Sequence, residues 1–245
     1  MTFIIWRDLM GNFGLRYQLF REELIDKQGY LKVLEGLKNT VLIAVAGLVI
    51  GIIIGIIIAS IEVMPKYKIV PRILDRICRV YVAFFRGTPL VVQLLVGYYV
   101  LRPLMGITVN AIESCMIIYG LNSGAYVSEI MRGGINSVDP GQMEAGRAIG
   151  FKYSTTMFKI IIPQAVKNIL PTLGNEFIAL IKDTSIVSFV GAMDLYVAFK
   201  YIGTNNYEFM VPYLAMALIY IVLVMFISLL IKWMERSLKK SDRSK

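Results

Sequence analysis

Histidine is absent from these 245 residues, and cysteine and tryptophan occur only twice each. Without histidine the chain lacks the commonest general acid–base group and a common metal ligand, which argues against an intramembrane enzyme. No Gly-Lys dipeptide occurs either. That excludes the phosphate-binding loop pattern, and with it ATP hydrolysis by this chain. Cys78 and Cys115 lie in apolar stretches without metal spacing and read as packing residues. Charge is missing from two long runs, Asn39 to Ile61 and Met210 to Ile231. Each exceeds the ~20 residues needed to cross ~30 Å of hydrocarbon.

What is present fits that picture. With 57% hydrophobic and 18% charged residues, and a mean hydropathy of +0.65, the chain reads as an all-α, polytopic membrane protein of about five spans. A soluble domain with two such runs would have little polar surface left. The net charge of +9 does not require nucleic acid, because basic clusters beside apolar spans set membrane orientation. Residues 1–38 hold six Lys/Arg and five Asp/Glu among regularly spaced apolar residues, which predicts an amphipathic segment at the lipid interface. Met1 to Met10 lacks the layout of a secretory signal, so the first span is expected to direct insertion.

The transmembrane region is placed at 39–233, followed by a basic tail over 234–245. The first span, about 40–61, carries Gly47, Gly51 and Gly55 at four-residue intervals. That face has almost no side chains, so a helix of this chain or of a second copy can approach it closely. Arg72, Arg76, Arg79 and Ile69, Ile73, Ile77, Val80 alternate at helical spacing and predict an amphipathic helix before the second span. Thr88 is a candidate cap, and Pro89 a candidate first residue, for a span over about 88–106. Further spans are expected at about 110–131, 171–193 and 211–232. The loops 62–87 and 132–170 and the tail hold most of the Lys/Arg, whereas 101–110 and 194–210 hold only Arg102 and Lys200. The basic side is expected to be cytoplasmic, with the N-terminus outside and the C-terminus inside.

Between two apolar runs lies a polar, punctuated stretch, Val138 to Gly150. Asp139 is a good N-cap, Pro140 suits the first helical position and Gln142 falls where a capping box needs it. Gly150 suits a left-handed C-terminal residue. Caps alone also fit an ordinary interhelical loop, but the spacing onward to Ile160 and Pro163 adds information. Glu144, Ala145, Gly150, Ile160 and Pro163 match the pattern Glu-Ala-Ala, three residues, Gly, nine residues, Ile, one residue, Leu-Pro. In this the chain resembles the membrane-spanning permease subunits of ABC importers. Gly146 and Ile162 depart from the pattern, the glycine weakening the helix by roughly 1 kcal/mol against alanine. Over about residues 36–240, the strings Arg86 to Gln93 and Asn122 to Gly134 further resemble the polar amino-acid uptake branch, of histidine or glutamine permease type.

That resemblance implies a coupling helix that takes up the movement of partner ATPases, with Gln142, Glu144, Ala145, Gly146, Arg147, Gly150 and Pro163 in it. It implies two ABC ATPase subunits that bind ATP and Mg, a second permease chain (identical or not), an extracellular substrate-binding protein and a bacterial cytoplasmic membrane. This chain would itself hold no cofactor. A transporter or channel working without ATP remains the alternative.

The intramembrane charges carry a second expectation. A charge at the centre of a span costs roughly 2.5–3.5 kcal/mol, against ~0.3–0.6 recovered per Leu or Ile. Glu176, Lys182 and Asp183 should therefore face the bundle interior, a watery path or one another. Glu176 and Asp183 are seven apart and share a helix face, with Asp183 ~18 Å beyond Pro171. Asp183, Thr184 and Ser185 could meet the charged groups of an amino acid, and Asn122 joins them as a candidate on the substrate path. A structural ion pair involving Lys182 is the other reading.

Overall fold

The computed structural model describes residues 13–243, with side chains as far as residue 238. Helix α1 spans 13–26 and ends in a π turn, Glu22–Asp26. Helix α2 is Gly29–Val63 and α3 is Ile69–Gly87. Helix α4, Leu90–Leu104, leaves α3 at a bend of 106°. Helix α5 is Ala111–Asn136 and α6 is Pro140–Ala148. Helix α7, Tyr153–Val190, opens with the α turn Tyr153–Thr156, passes through a π turn at Met157–Ile161 and closes with the 3-10 segment Thr184–Val190. Helices α8, Leu195–Asn206, and α9, Met210–Arg243, complete the described residues. No strand occurs among the described residues.

Among the described residues two helices, α2 and Met210–Leu238 of α9, are long and apolar enough to cross a membrane alone. The bent pairs α3–α4 and α7–α8 raise the number to as many as four. Helix α5 does not qualify by composition, because Asn122, Ser123 and Ser128 lie along it. It is instead wrapped by α2, α3, α4 and α7, which bury those polar groups. The first expected span is longer than the charge-free run, since α2 already begins at Gly29. Residues 194–210, expected as a plain loop, hold α8. Asp194 caps it by accepting from the Val197 N–H at 2.8 Å, and Leu195, Ala198, Phe199 and Ile202 pack onto α1 and α2.

The bare face of α2 is occupied within the protomer. A Cβ on Gly47 would meet Tyr119 at 3.1 Å, one on Gly51 would meet Ser123 at 2.7 Å and one on Gly55 would meet Val127 at 2.5 Å, all on α5. In return Ile50 and Ile54 of α2 fill the space above Gly120 and Gly124. Close backbone approach maximises dispersion contacts where lipid offers no hydrophobic drive. Around this pair lies the largest core, with Ile43, Leu94, Cys115, Tyr119 and Ile181 fully buried.

Proline shapes the other helices. The π turn Gly97–Leu101 ends two residues before Pro103, and Met157–Ile161 ends two residues before Pro163. A proline ring clashes with the carbonyl four residues back and supplies no N–H, and a widened turn absorbs both defects. Thr88, a candidate cap for α4, closes α3 instead, its hydroxyl donating to Phe84 O at 2.8 Å.

Candidate functional site

The kink between α3 and α4 opens a cavity of about 180 Å³ near the middle of the bundle. It is lined by Thr88, Leu90, Asn122, Tyr126, Glu176, Ala179, Leu180 and Asp183. Asn122 and Tyr126 occupy the central part of α5. Glu176, Ala179 and Asp183 follow one another at helical spacing on α7, so a single face supplies both carboxyl groups. Ser123 Oγ donates to Glu176 Oε1 at 3.0 Å, and the Tyr119 hydroxyl donates to the Asp183 carbonyl at 2.6 Å. Asn122 Nδ2 donates to Gln93 Oε1 at 2.9 Å, while Gln93 Nε2 donates to Phe85 O at 2.8 Å and Thr88 Oγ1 at 2.8 Å. The unwound junction thus has its freed backbone acceptors satisfied by side chains, as broken helices in membranes require.

Of the substrate-path residues named from sequence, Asn122, Glu176 and Asp183 converge on this cavity. Lys182, Thr184 and Ser185 do not line it. Thr184 and Ser185 donate to carbonyls of their own helix, Ile181 O at 2.7 Å and Lys182 O at 3.1 Å. Successive helical positions lie about 100° apart, which turns these residues away from the face bearing Glu176 and Asp183. Among the described residues Lys182 makes no ion pair within 4.0 Å.

The second feature is α6. Asp139 accepts from the Gly141 N–H at 2.8 Å, one residue earlier than the Gln142 capping box would have it. Gly150 is left-handed at φ +88°. The Gly150 N–H bonds Arg147 O and the Phe151 N–H bonds Gly146 O, each at 3.0 Å, which makes a Schellman ending. Gly146 is the one buried residue of the helix, seated on Thr156 at the base of α7. A Cβ there would lie 2.6 Å from Thr156 Cγ2. This accounts for the departure from alanine, which propensity alone counts as a loss. Gln142, Glu144, Ala145, Arg147 and Gly150 are exposed, and so is Pro163 at the start of the regular part of α7. Beside them Ile149 and Phe158 stand 71% and 70% exposed.

Residues 37–240 match the family described as binding-protein-dependent transport system inner membrane component. The chain belongs to this family. Among its relatives, the arginine transport system permease protein of Bacillus subtilis (strain 168) is 41% identical over 162 residues, 66% of this permease and 74% of the relative. A putative glutamine transport system permease protein of Rickettsia prowazekii (strain Madrid E) is 38% identical over 212 residues, 85% and 93% of the two chains. A solved amino acid ABC transporter with histidines covers 87% of the permease and 97% of its own chain, at TM-score 0.79 and 36% identity. An inward-facing methionine ABC transporter shares the fold at TM-score 0.71 and 18% identity, over 85% and 97% of the chains.

Sequence reasoning on charge missed Thr88, Tyr126 and Ala179 in the cavity wall, because none of them is costly in a membrane. Their signal was indirect: Thr88 and Tyr126 lie in the two strings that resemble the amino-acid branch.

Proposed function

We propose that this chain is the membrane-spanning subunit of an ATP-driven importer carrying a polar amino acid across the bacterial cytoplasmic membrane. The observation that carries the proposal is the continuity of α7. One helix holds Thr156 beneath α6 at one end and Asp183 in the cavity wall near the other. A push on α6 therefore moves the wall that carries the carboxylates. The names of the arginine and glutamine permease relatives support the cargo class, and an amino acid's ammonium group suits Glu176 and Asp183.

In this mechanism two partner ATPase subunits, binding ATP and Mg, seat on the α6 helices of two permease chains, identical or not. Glu144 and Arg147 offer them polar contacts, and Ile149, Phe151 and Phe158 offer apolar ones. A substrate-binding protein delivers cargo from outside. The polypeptide crosses five times, with α5 buried among the other spans, the N-terminus outside and α6 and the C-terminus inside. Closure of the ATPases drives alternating access, and this chain catalyses no chemistry of its own.

The test is uptake by proteoliposomes holding the assembled transporter. Asp183→Asn should lower ATP-driven uptake about tenfold or more, the equivalent of ~1.4 kcal/mol, while the complex stays intact on size exclusion. Glu144→Ala should abolish substrate-stimulated ATP hydrolysis without changing membrane insertion. ATP-driven uptake retained by Glu144→Ala, or uptake needing no ATP, would overturn the proposal.

A further inference from the structure

A second, larger cavity of about 520 Å³ lies at the α6 end of the bundle. Its wall includes Glu62 and Val63 closing α2, Arg79 of α3, Glu129 and Arg132 of α5, and Tyr153 opening α7. It shares no residue with the cavity at Asp183.

The polar groups around it are nearly all paired, and the exception is informative. Arg132 grips Glu129 through two bonds, Nε to Oε1 at 3.0 Å and NH2 to Oε2 at 2.8 Å. Arg86 adds to Glu129 at 3.1 Å. Glu62 is left over. Its side chain is only 7% exposed, and its Oε2 has Arg132 Nε at 3.7 Å but accepts no hydrogen bond. A buried carboxylate oxygen without a donor is costly, so this site asks for a hydrogen-bonding cation. Arg79, in the same lining, meets Asp75 through Nε at 3.1 Å, which leaves its terminal nitrogens available for an anion. Glu62 and Glu129 balance Arg79 and Arg132, so the lining accommodates a neutral guest bearing both signs.

We propose that this cavity is a second amino-acid site, open to the side on which cargo is released. The guest's ammonium binds the Glu62 carboxylate, and its carboxylate binds Arg79. The volume lies in the range of small-molecule sites. Tyr153 ties the cavity to the transport machinery, its hydroxyl donating to Val63 O at 2.7 Å. That bond joins the end of α2 to the base of α7, a few residues from Thr156 and α6. A guest here bridges α2, α3 and the α7 base, and so restrains the joint through which α6 acts. Product that accumulates on the release side then slows further import.

The inference rests on the reading of the chain as an amino-acid importer, and the experiment separates the two. The assembled transporter, without binding protein, is titrated with radiolabelled L-glutamine and L-arginine, and binding is counted per permease chain. The wild type should show two sites. Glu62→Gln should lose one and keep the other, while Asp183→Asn should do the reverse. Arg79→Met changes a side chain that is 66% exposed and leaves Asp75 its ion pair with Lys66 at 2.6 Å, and should weaken the same site about tenfold. Amino acid enclosed on the α6 side of proteoliposomes should slow wild-type uptake several-fold and Glu62→Gln uptake far less. Uptake by the wild type with a single binding site, lost in Asp183→Asn and unchanged in Glu62→Gln and Arg79→Met, overturns this proposal and leaves the importer reading standing. No binding and no uptake of any amino acid sinks both.

Discussion

Glu23 shows how a single charge is held outside the spans. Its side chain is 3% exposed, bonded to Lys27 and receiving Asn205 Nδ2 at 2.9 Å from α8. Burial opposes its ionisation, but Lys27 and Asn205 together hold the carboxyl below the usual glutamate range. A lowered folded pKa gives stability that is complete above the unfolded value of about 4.3 and is lost as pH falls through the folded value. Glu23→Gln should therefore cost about 1–2 kcal/mol near neutral pH. Thermal unfolding midpoints of variant and wild type should converge as the pH falls through the folded value. Size decides matters at Gly51, where an added Cβ would strike Ser123 at 2.7 Å. Gly51→Val should destabilise by about 1–3 kcal/mol or more through overpacking. Gly133→Ala on α5, with nothing within 4 Å, should be neutral or gain up to about 1 kcal/mol. Unfolding of the two purified proteins in detergent checks the contrast.

At the scale of elements, the proposed coupling rests on the seating of α6 on α7. Gly146→Ala should force the helix off Thr156 and reduce uptake per ATP hydrolysed. Thr156→Ala in the same chain should restore much of it, giving a coupling energy of about 1–2 kcal/mol in the double-mutant cycle. Additive losses would show that the two residues act separately. Much of this element was legible in the sequence: Asp139, Pro140 and Gly150 mark both ends through local backbone chemistry that needs no tertiary context. What was not legible is that Gly146 is there for space, because only the folded chain brings position 156 beneath it. The same holds for the α3–α4 bend. Thr88-Pro89 announces a break, but the turn of 106° is set by Asn122 and Gln93 bonding across it. The charged residues of α7 were found because charge in a span is expensive. Which of them share the cavity depended on helix phase, which separates Asp183 from Lys182 and Thr184.

For the whole molecule, the fold class followed from the apolar runs, but α5 and α8 did not. Helix α5 reads as too polar for a span because its polar residues are covered by neighbours rather than lipid. Helix α8 lies in a stretch whose low charge resembles an external loop. The proposed orientation predicts that Lys152→Cys is protected from a membrane-impermeant thiol reagent in intact cells and labelled only in inverted vesicles. A cysteine at Tyr207, beyond α8, should show the opposite pattern. Finally, the glycines of α2 and those of α5 interlock so closely that neither helix has room to slide or roll on the other. Any cycle of opening and shutting must leave that pair standing as a stator and be carried by the jointed parts hung around it, α3 with α4 and α7 with its proline-softened base.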